Sequence, residues 1–359
     1  MSGDAHWTIA ASQEVDERWW ADWDRLNDTH LQSHPLLSSR WARNLAASFG
    51  SQDLRFARLS RRNGEPLAAT ILQPNGFGRW RVFCPAQAAV ALLVFDRSVA
   101  GGMQWLQRLL RRMPGIGLVL DVPYQDEPYS WVETAPHACL HRVSLGTTIR
   151  IRAPEGLDKY WAERPKELRD NVRRRQRKAG EEGIQFRLAA VTEPASIGAA
   201  VDRYGQLESS GWKGKEGTAL HPDNVQGRFY RAMMEAYAAS GDASMFELWN
   251  GERLAASRIV IRGPTMYVIL KTTFDESLRN FAPGHVQLYE MFRTMLADQQ
   301  RVVELYTKAT RDWLLWATDT RSIDDVSVYR GGLVGELVAR RRKRKDAAAP
   351  APAAAPTEG

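Results

Sequence analysis

The sequence predicts an α/β protein built from two related domains, and three observations carry that prediction. The string NGEPLAAT at 63–70 returns nearly unchanged as NGERLAAS at 250–257. Each copy stands between two runs able to form strands, FARLSRR and TILQP around the first, MFELW and SRIVIRG around the second. The elements after each copy also recur in order: a strand (RWRVFCP; TMYVILKTTF), a loop with Gly101-Gly102 or Pro283-Gly284, a helix (MQWLQRLLRRM; HVQLYEMFRTML) and a further strand (GLVLDV; RVVELYT). So long a repeat means duplicated domains, because solenoid periods run only about 20–50 residues. Asn-Gly suits the positive φ angles of a type I′ turn, so each copy is predicted to be a β-hairpin.

Bulk composition agrees. With 359 residues, 44% hydrophobic and 25% charged, the chain reads as two ordinary globular domains, each able to bury a core without staples. Cys84 and Cys139 are too few and too far apart for a disulfide framework or a zinc site, which points to no metal and a reducing cytoplasm. The N-terminus has acids before any apolar stretch and does not read as a signal peptide, and no window has the apolar length of a spanning helix. The net charge of +7 is concentrated in RRRKRK at 340–345, followed by Ala/Pro-rich sequence. Residues 339–359 are therefore expected to be a disordered basic tail, either a solubilising terminus or a contact for RNA or an anionic surface.

Along the chain, Trp19–Leu26 has helical spacing, and Leu36–Phe49 reads as a second amphipathic helix starting near Ser38 or Ser39. The first repeat ends near Pro123, HRVSLGTTIRI closes the first half, and the domain boundary is placed at Ala153-Pro154. LDKYWAERPKELRDNVRRRQRKAGEEG is a basic helical segment ended by Gly180 or Gly183, either a solvated helix or an electrostatic approach surface for an anion. IQFRLAAV is a strand, IGAAVDRYGQLESSGW a helix, and 225–239 another helix before the second hairpin. Trp313 and Trp316 fit one packed helical face.

The second Gly loop is the most informative place. MYVILKTTF ends in DESLRNFAPG and feeds a helix opening near His285. A helix N-terminus presents unpaired N–H groups and the positive end of its dipole, which suits a pyrophosphate. Gly284, after Pro283, permits close backbone approach, Arg279 adds a charge, and His285 either bonds a phosphate or shapes the turn.

This order of elements resembles the GNAT acyl-CoA N-acyltransferases, in which that loop cradles the coenzyme A pyrophosphate. RNFAPGHV departs from their Arg/Gln-x-x-Gly-x-Gly/Ala pattern, having Arg279 and one glycine. LESSGWKGKEGTAL, LKTTFDESLRNFAPG and HPLLSSRWARNLAASFG resemble double-domain GNAT acetyltransferases of the CelD type, similar in architecture to Fem-type aminoacyl transferases. The resemblance spans roughly residues 35–330 and implies two tandem GNAT-like domains, each a mixed, mostly antiparallel sheet flanked by helices. It makes 1–153 a scaffold, because SVAGGMQW has no matching Arg, and 154–338 the unit that binds acyl-CoA.

It also implies acyl transfer from acetyl-CoA to an amine or hydroxyl of a cell-envelope or polysaccharide precursor. Backbone N–H groups near Thr272, Thr273 and Phe274 are candidates for the oxyanion site. Glu208 is the candidate base, or else a surface glutamate. Lys271, on the strand leading to the loop, needs a cleft or a phosphate for its amine. Tyr306 is the candidate acid for the thiolate, or a core tyrosine. Trp212, Lys213 and Lys215 form either an acceptor platform or a helix end with solvated lysines. The rivals are a Fem-like transfer from aminoacyl-tRNA and a non-catalytic scaffold of a biosynthetic complex.

Overall fold

The computed structural model describes residues 5–133, 135–297 and 302–348. The first half runs β1 (Ala5–Ala11), α1 (Glu17–His30), α2 (Ser39–Phe49), β2 (Arg55–Arg61), β3 (Pro66–Pro74), β4 (Arg79–Val82), β5 (Leu93–Phe95), α3 (Gly102–Leu110), β6 (Val119–Asp126) and β7 (Leu140–Ile151). The second runs α4 (Leu157–Glu163), α5 (Lys166–Glu181), β8 (Phe186–Val191), α6 (Pro194–Ser210), α7 (Trp212–Lys215), α8 (Val225–Ala238), β9 (Ala243–Asn250), β10 (Arg253–Arg262) and β11 (Met266–Phe274). It closes with α9 (Pro283–Met295), β12 (Val302–Glu304), α10 (Arg311–Trp316), β13 (Asp319–Tyr329) and α11 (Leu333–Ala348).

Both repeated hairpins form, β2–β3 and β9–β10, but neither turn is type I′. That type needs positive φ at both central residues, and only the glycines, Gly64 (φ 87) and Gly251 (φ 59), adopt it. In the first, Gly64 donates to the Arg61 carbonyl and Arg61 to that of Glu65, a longer loop with glycine at its left-handed position. In the second, Asn250 pairs with Arg253 and Gly251 is the first of two loop residues, the position where a type II′ turn wants glycine.

The duplication shows in the sheet. Its strands run β1-β2-β3-β4-β6-β13-β7-β12-β11-β10-β9-β8, with β5 beside β3. Read inward from either edge, each half contributes four antiparallel strands and then a parallel partner, β4 with β6 and β11 with β12. The last strand of each half is exchanged. β7 lies between β12 and β13, while β13 lies between β6 and β7. Packing reflects the exchange: Ile149 and Ile151 of β7 are buried with Leu288, Met291 and Phe292 of α9, whereas Val326 and Val328 of β13 join the core holding Leu120 and Val122. Each such side chain contributes about 1.5–3 kcal/mol on burial, so the halves stabilise one another across the seam.

Local signals set the element ends. Ser38 caps α2 by accepting from the Trp41 amide, and Asp16 caps α1 through the Trp19 amide. Pro165, without an N–H, splits the predicted basic segment into α4 and α5, and Gly183 (φ 73) lies just past the end of α5. The expected disordered tail is corrected in part. The Arg/Lys run continues helix α11 to Ala348, in keeping with the helix propensity of Arg, Lys and Ala, while 349–359 lie outside the described residues. Among the described residues no helix is long and apolar enough to cross a membrane.

Candidate active site

β11 and β12 pair at Met266–Val302, Tyr267–Val303 and Val268–Glu304, and then separate. A bulge marks the separation: on β10, Ile259 faces Lys271 and Val260 faces Ile269, which leaves Leu270 as an extra residue on β11. Bulges bend their strand and increase its twist. Ile269–Thr272 and Leu305–Lys308 thus flank a cleft of about 650 Å³, also lined by Tyr124, Thr147, Thr148 and the Ala86–Ala89 segment.

On the α6 side of β11 the structure brings Glu208, Lys213 and Lys271 together. Glu208 sits on α6, is 2% exposed, and has both oxygens engaged. Oε1 accepts from Lys213 Nζ (2.9 Å) and Tyr204 Oη (3.0 Å), one turn back; Oε2 accepts from the Leu220 amide (2.7 Å) and lies 3.6 Å from Lys271 Nζ. Burial pushes this carboxyl upward, but the ammoniums of Lys271 and Lys213 and the Leu220 amide outweigh it and hold it below the ordinary glutamate value. Burial lowers the Lys271 amine below the usual lysine value, Lys213 adds to the fall, and Glu208 opposes it. Lys271 and Lys213 both line the cleft, and Lys271 Nζ stands 5.5 Å from the Tyr230 ring centre.

Trp212 is 43% exposed at the start of α7, its amide donating to Glu276 Oε1, with Lys213 Nζ 5.6 Å from its ring centre. Lys215 is exposed and does not line the cleft, so the structure separates it from Lys213. Thr272 lines the cleft; Thr273 is half-buried and Phe274 is 37% exposed as β11 ends. Trp316 is core, as its spacing predicts, and Trp313 packs half-buried against the same core while also lining the cleft.

Tyr306 lies on the opposite wall, in a left-handed backbone conformation (φ 48), with its hydroxyl turned to the seam between the halves. That hydroxyl donates to Asp126 Oδ2 (3.1 Å) and is 2.7 Å from His34 Nε2. Since His34 Nδ1 accepts from the Leu36 amide, Nε2 carries the proton and donates to Tyr306. Behind them Arg321 bridges Asp126 and Glu304, and Arg150 bonds Glu304. Burial, then Arg321 and Arg150, push His34 down to about 3, so it is neutral; burial, then Glu304 and Asp126, hold the Tyr306 phenol well above its usual value.

The loop after β11 places Arg279 exposed and Ala282 at the helix cap in a left-handed conformation (φ 47). α9 starts at Pro283, two residues earlier than predicted, where proline's missing N–H is harmless. The Gly284 amide has no acceptor among the described residues, and the His285 amide bonds back to Ala282. Burial, with Arg258 adding to it, lowers the His285 imidazole, whose ring centre is 6.0 Å from that of Trp316. Arg175 of α5 donates to the Asn280 carbonyl, setting the basic helix beside this loop.

Residues that sequence reasoning missed include His34, Asp126, Arg150, Glu304 and Arg321 at the seam, Tyr124 on the cleft, and Arg258 beneath α9. Arg150, Glu304 and Arg258 share one signal, a charge inside an apolar strand, as in TTIRI, VVELY and ASRIVIR. Such a group is costly unless something answers it.

Comparison with known proteins agrees with this geometry. Residues 166–313 match the family described as acetyltransferase (GNAT) domain, which contains β11, the loop and α9. The solved structures similar to this chain include FemX, 10% identical with a TM-score of 0.55, over 87% of this chain and 96% of that one. The C-terminal domain of a putative lysylphosphatidylglycerol synthetase from Agrobacterium fabrum is 12% identical, TM-score 0.52, over 79% and 85%. L-PGS from Bacillus licheniformis is 10% identical, TM-score 0.51, over 91% and 96%. At these identities the likeness is one of fold. No curated protein sequence matches. Residues 166–313 thus match the acetyltransferase (GNAT) domain, and the fold around them is GNAT-like.

Proposed function

We propose that this protein transfers an acyl group, acetyl in the simplest case, from coenzyme A to an amine or hydroxyl of a cell-envelope or polysaccharide precursor. The observation that carries this reading is the cleft between the diverging β11 and β12, together with the helix that follows β11, whose Gly284 amide has no partner among the described residues. An anion at that amide, reached also by Arg279, would set the acyl carrier's chain toward the cleft. Amides on β11 beyond Val268, near Thr272–Phe274, are the donors for the carbonyl oxygen as it gains charge.

In this reading Lys271, once its ammonium has released a proton, takes the proton from the attacking acceptor as a free amine, and the ammonium so re-formed gives it to the departing thiolate. The C–S bond breaks as the new C–N or C–O bond forms, and the proton count closes. Glu208, saturated by its partners, positions Lys271 and Lys213 rather than touching substrate. Tyr306, committed to Asp126 and His34, shapes the far wall. Lys213 and Trp212 border the acceptor.

Residues 1–153 serve as scaffold. The equivalent opening beyond β4 is closed by the chain from Phe83 to Leu92, whose Phe83, Ala91 and Leu92 are buried. Isothermal titration with coenzyme A tests the reading. Micromolar binding lost in Arg279→Ala and Gly284→Arg is expected, with thiol release from acetyl-CoA on adding acceptor; no binding heat would overturn it.

A second reading, transfer from aminoacyl-tRNA, is favoured by the position of α5, whose arginine run lies against the Asn280 loop. It predicts RNA binding whose logarithmic salt slope falls by about 0.7–0.9 for each phosphate contact removed from Arg173, Arg174 and Arg177.

A further inference from the structure

Two loops of the first half each present a single large apolar residue between two glycines. Gly76-Phe77-Gly78 turns from β3 to β4, and Gly115-Ile116-Gly117 leads from α3 to β6. The loops lie side by side, since the Gly78 carbonyl accepts from the amides of Leu118 and Val119. The Leu118 carbonyl in turn accepts from the Arg330 amide just past β13, three residues before α11 opens with Leu333. The start of β4, the start of β6 and the end of β13 therefore bring an apolar tip each to one rim of the sheet.

The four most exposed large hydrophobic side chains among the described residues all stand here: Phe77 (87%), Leu333 (81%), Leu337 (62%) and Ile116 (54%). Apolar residues scattered singly over a surface need no explanation, but four gathered at one rim mark a contact. Cations border them. α11 packs Val338 and Ala339 against Val119 and Tyr329. Its opposite face carries Leu333, Leu337, Arg340 and Arg341, spaced i, i+4, i+7 and i+8 and all exposed. Arg111, exposed at the end of α3, brings Nη2 to 3.5 Å from where a Gly331 side chain would stand, and exposed Arg112 follows it. Glu336, 4.0 Å from Arg340, offsets one of these charges.

Charge and shape together select the partner. Leu333, Leu337 and Ile116 offer RNA neither a charge nor a stacking face. A second copy of this chain, meeting the same rim about a two-fold axis, would set arginines against arginines. An anionic bilayer answers both features, with its acyl boundary for the tips and its phosphates for the guanidiniums.

We infer that this rim seats the protein on an anionic lipid surface, with Phe77, Ile116, Leu333 and Leu337 entering the headgroup boundary and the arginines of α11 at the lipid phosphates. Such a helix lies on a membrane without crossing it. The inference goes beyond acyl transfer and does not depend on it. It gives the first half, whose own opening is filled, a binding task. β7 leaves the rim at Leu140, opposite Val328, and reaches the cleft at Thr147, about 23 Å further along the strand. An acceptor borne on that surface would have to span about this distance.

Cosedimentation of the full chain with vesicles tests this, one set of phosphatidylcholine alone and one of two parts phosphatidylcholine to one part phosphatidylglycerol. Binding is expected to the second set and far more weakly to the first. Phe77→Ser combined with Leu333→Ser should weaken it roughly 10- to 100-fold, whereas Phe77→Trp should keep it. Arg340→Gln and Arg341→Gln should each weaken it about fivefold. All these side chains are exposed, so the Tm of each variant is expected to stay that of the parent. No binding to the anionic vesicles, or binding that survives Phe77→Ser with Leu333→Ser in full, would overturn the inference. A dimer in light scattering that Leu333→Ser dissolves would do the same, as would RNA binding lost in Arg340→Gln by a chain that ignores vesicles.

Discussion

His34 Nε2 and Tyr306 Oη lie 2.7 Å apart, joining a residue just before α2 to one just after β12, 272 positions along the chain. The tyrosine passes the contact on to Asp126 of β6, so three separate segments meet in one directed chain at the seam. Tyr306→Phe leaves the His34 N–H without an acceptor and removes one donor from Asp126. A loss of about 1–3 kcal/mol is expected by urea denaturation.

The same contact has a pH signature. His34 is lowered to about 3 in the folded protein, while an unfolded histidine titrates near 6.5. Between those values the unfolded chain binds more protons, so stability rises with pH through this window and levels off above it. His34→Gln retains an amide donor but cannot titrate. It should remove up to about 1.4 kcal/mol per pH unit from the slope between pH 4 and 6. Equal slopes in the two proteins would show that His34 is protonated in the fold.

Lys271 and Glu208 give the test of chemistry. With Lys271 as base, kcat/KM rises with pH through the titration of its amine. Glu208 raises that amine, so Glu208→Gln should move the acid limb to lower pH while leaving coenzyme A affinity intact, and lower the plateau. Lys271→Met should cost about 10²–10⁴ in kcat. A limb that stays in place in Glu208→Gln would remove Lys271 from the proton path.

The duplicated order of strands and helices was legible because hairpin turns and amphipathic periods are local signals. The repeated NG string located both hairpins, yet it put positive φ at both residues of each Asn-Gly pair, where only Gly64 and Gly251 carry it. Glu208, Lys271 and the Gly284 loop stood out as charges and glycines in ordered segments. The exchange of β7 and β13 was invisible, since HRVSLGTTIRI reads the same whichever neighbours it pairs with. Asp126, Arg150, Glu304 and Arg321 come from four strands, and only strand order makes them a network.

The starts of α3 and α9 separate by substitution. Gly102→Ala drives a Cβ into the Trp131 carbonyl, at 2.0 Å, and backbone must move. A loss of about 1–3 kcal/mol is expected, as for overpacking elsewhere. Gly284→Ala meets a single atom at 3.8 Å, so its stability should stay within about 0.5 kcal/mol. Thermal unfolding of the two variants side by side checks this, and equal losses would mean that the two starts are equally filled.

The strand exchange makes the strongest demand on folding. Both neighbours of β7 belong to the second half, and β13 has β6 and β7 of the first as its partners. Residues 1–153 alone would leave β7 without a partner on either edge and expose Ile149 and Ile151. Residues 154–338 alone would strand β13 in the same way, with Val326 and Val328 exposed. An exposed apolar edge strand is a template for aggregation. Each half expressed alone should therefore be insoluble or unfolded by circular dichroism. Co-expressed halves should copurify as a one-to-one complex, because the exchanged strands hold each other without the link at Ala153-Pro154. A first half that is soluble, monomeric and cooperatively unfolding by itself would show that β7 can pair within its own half.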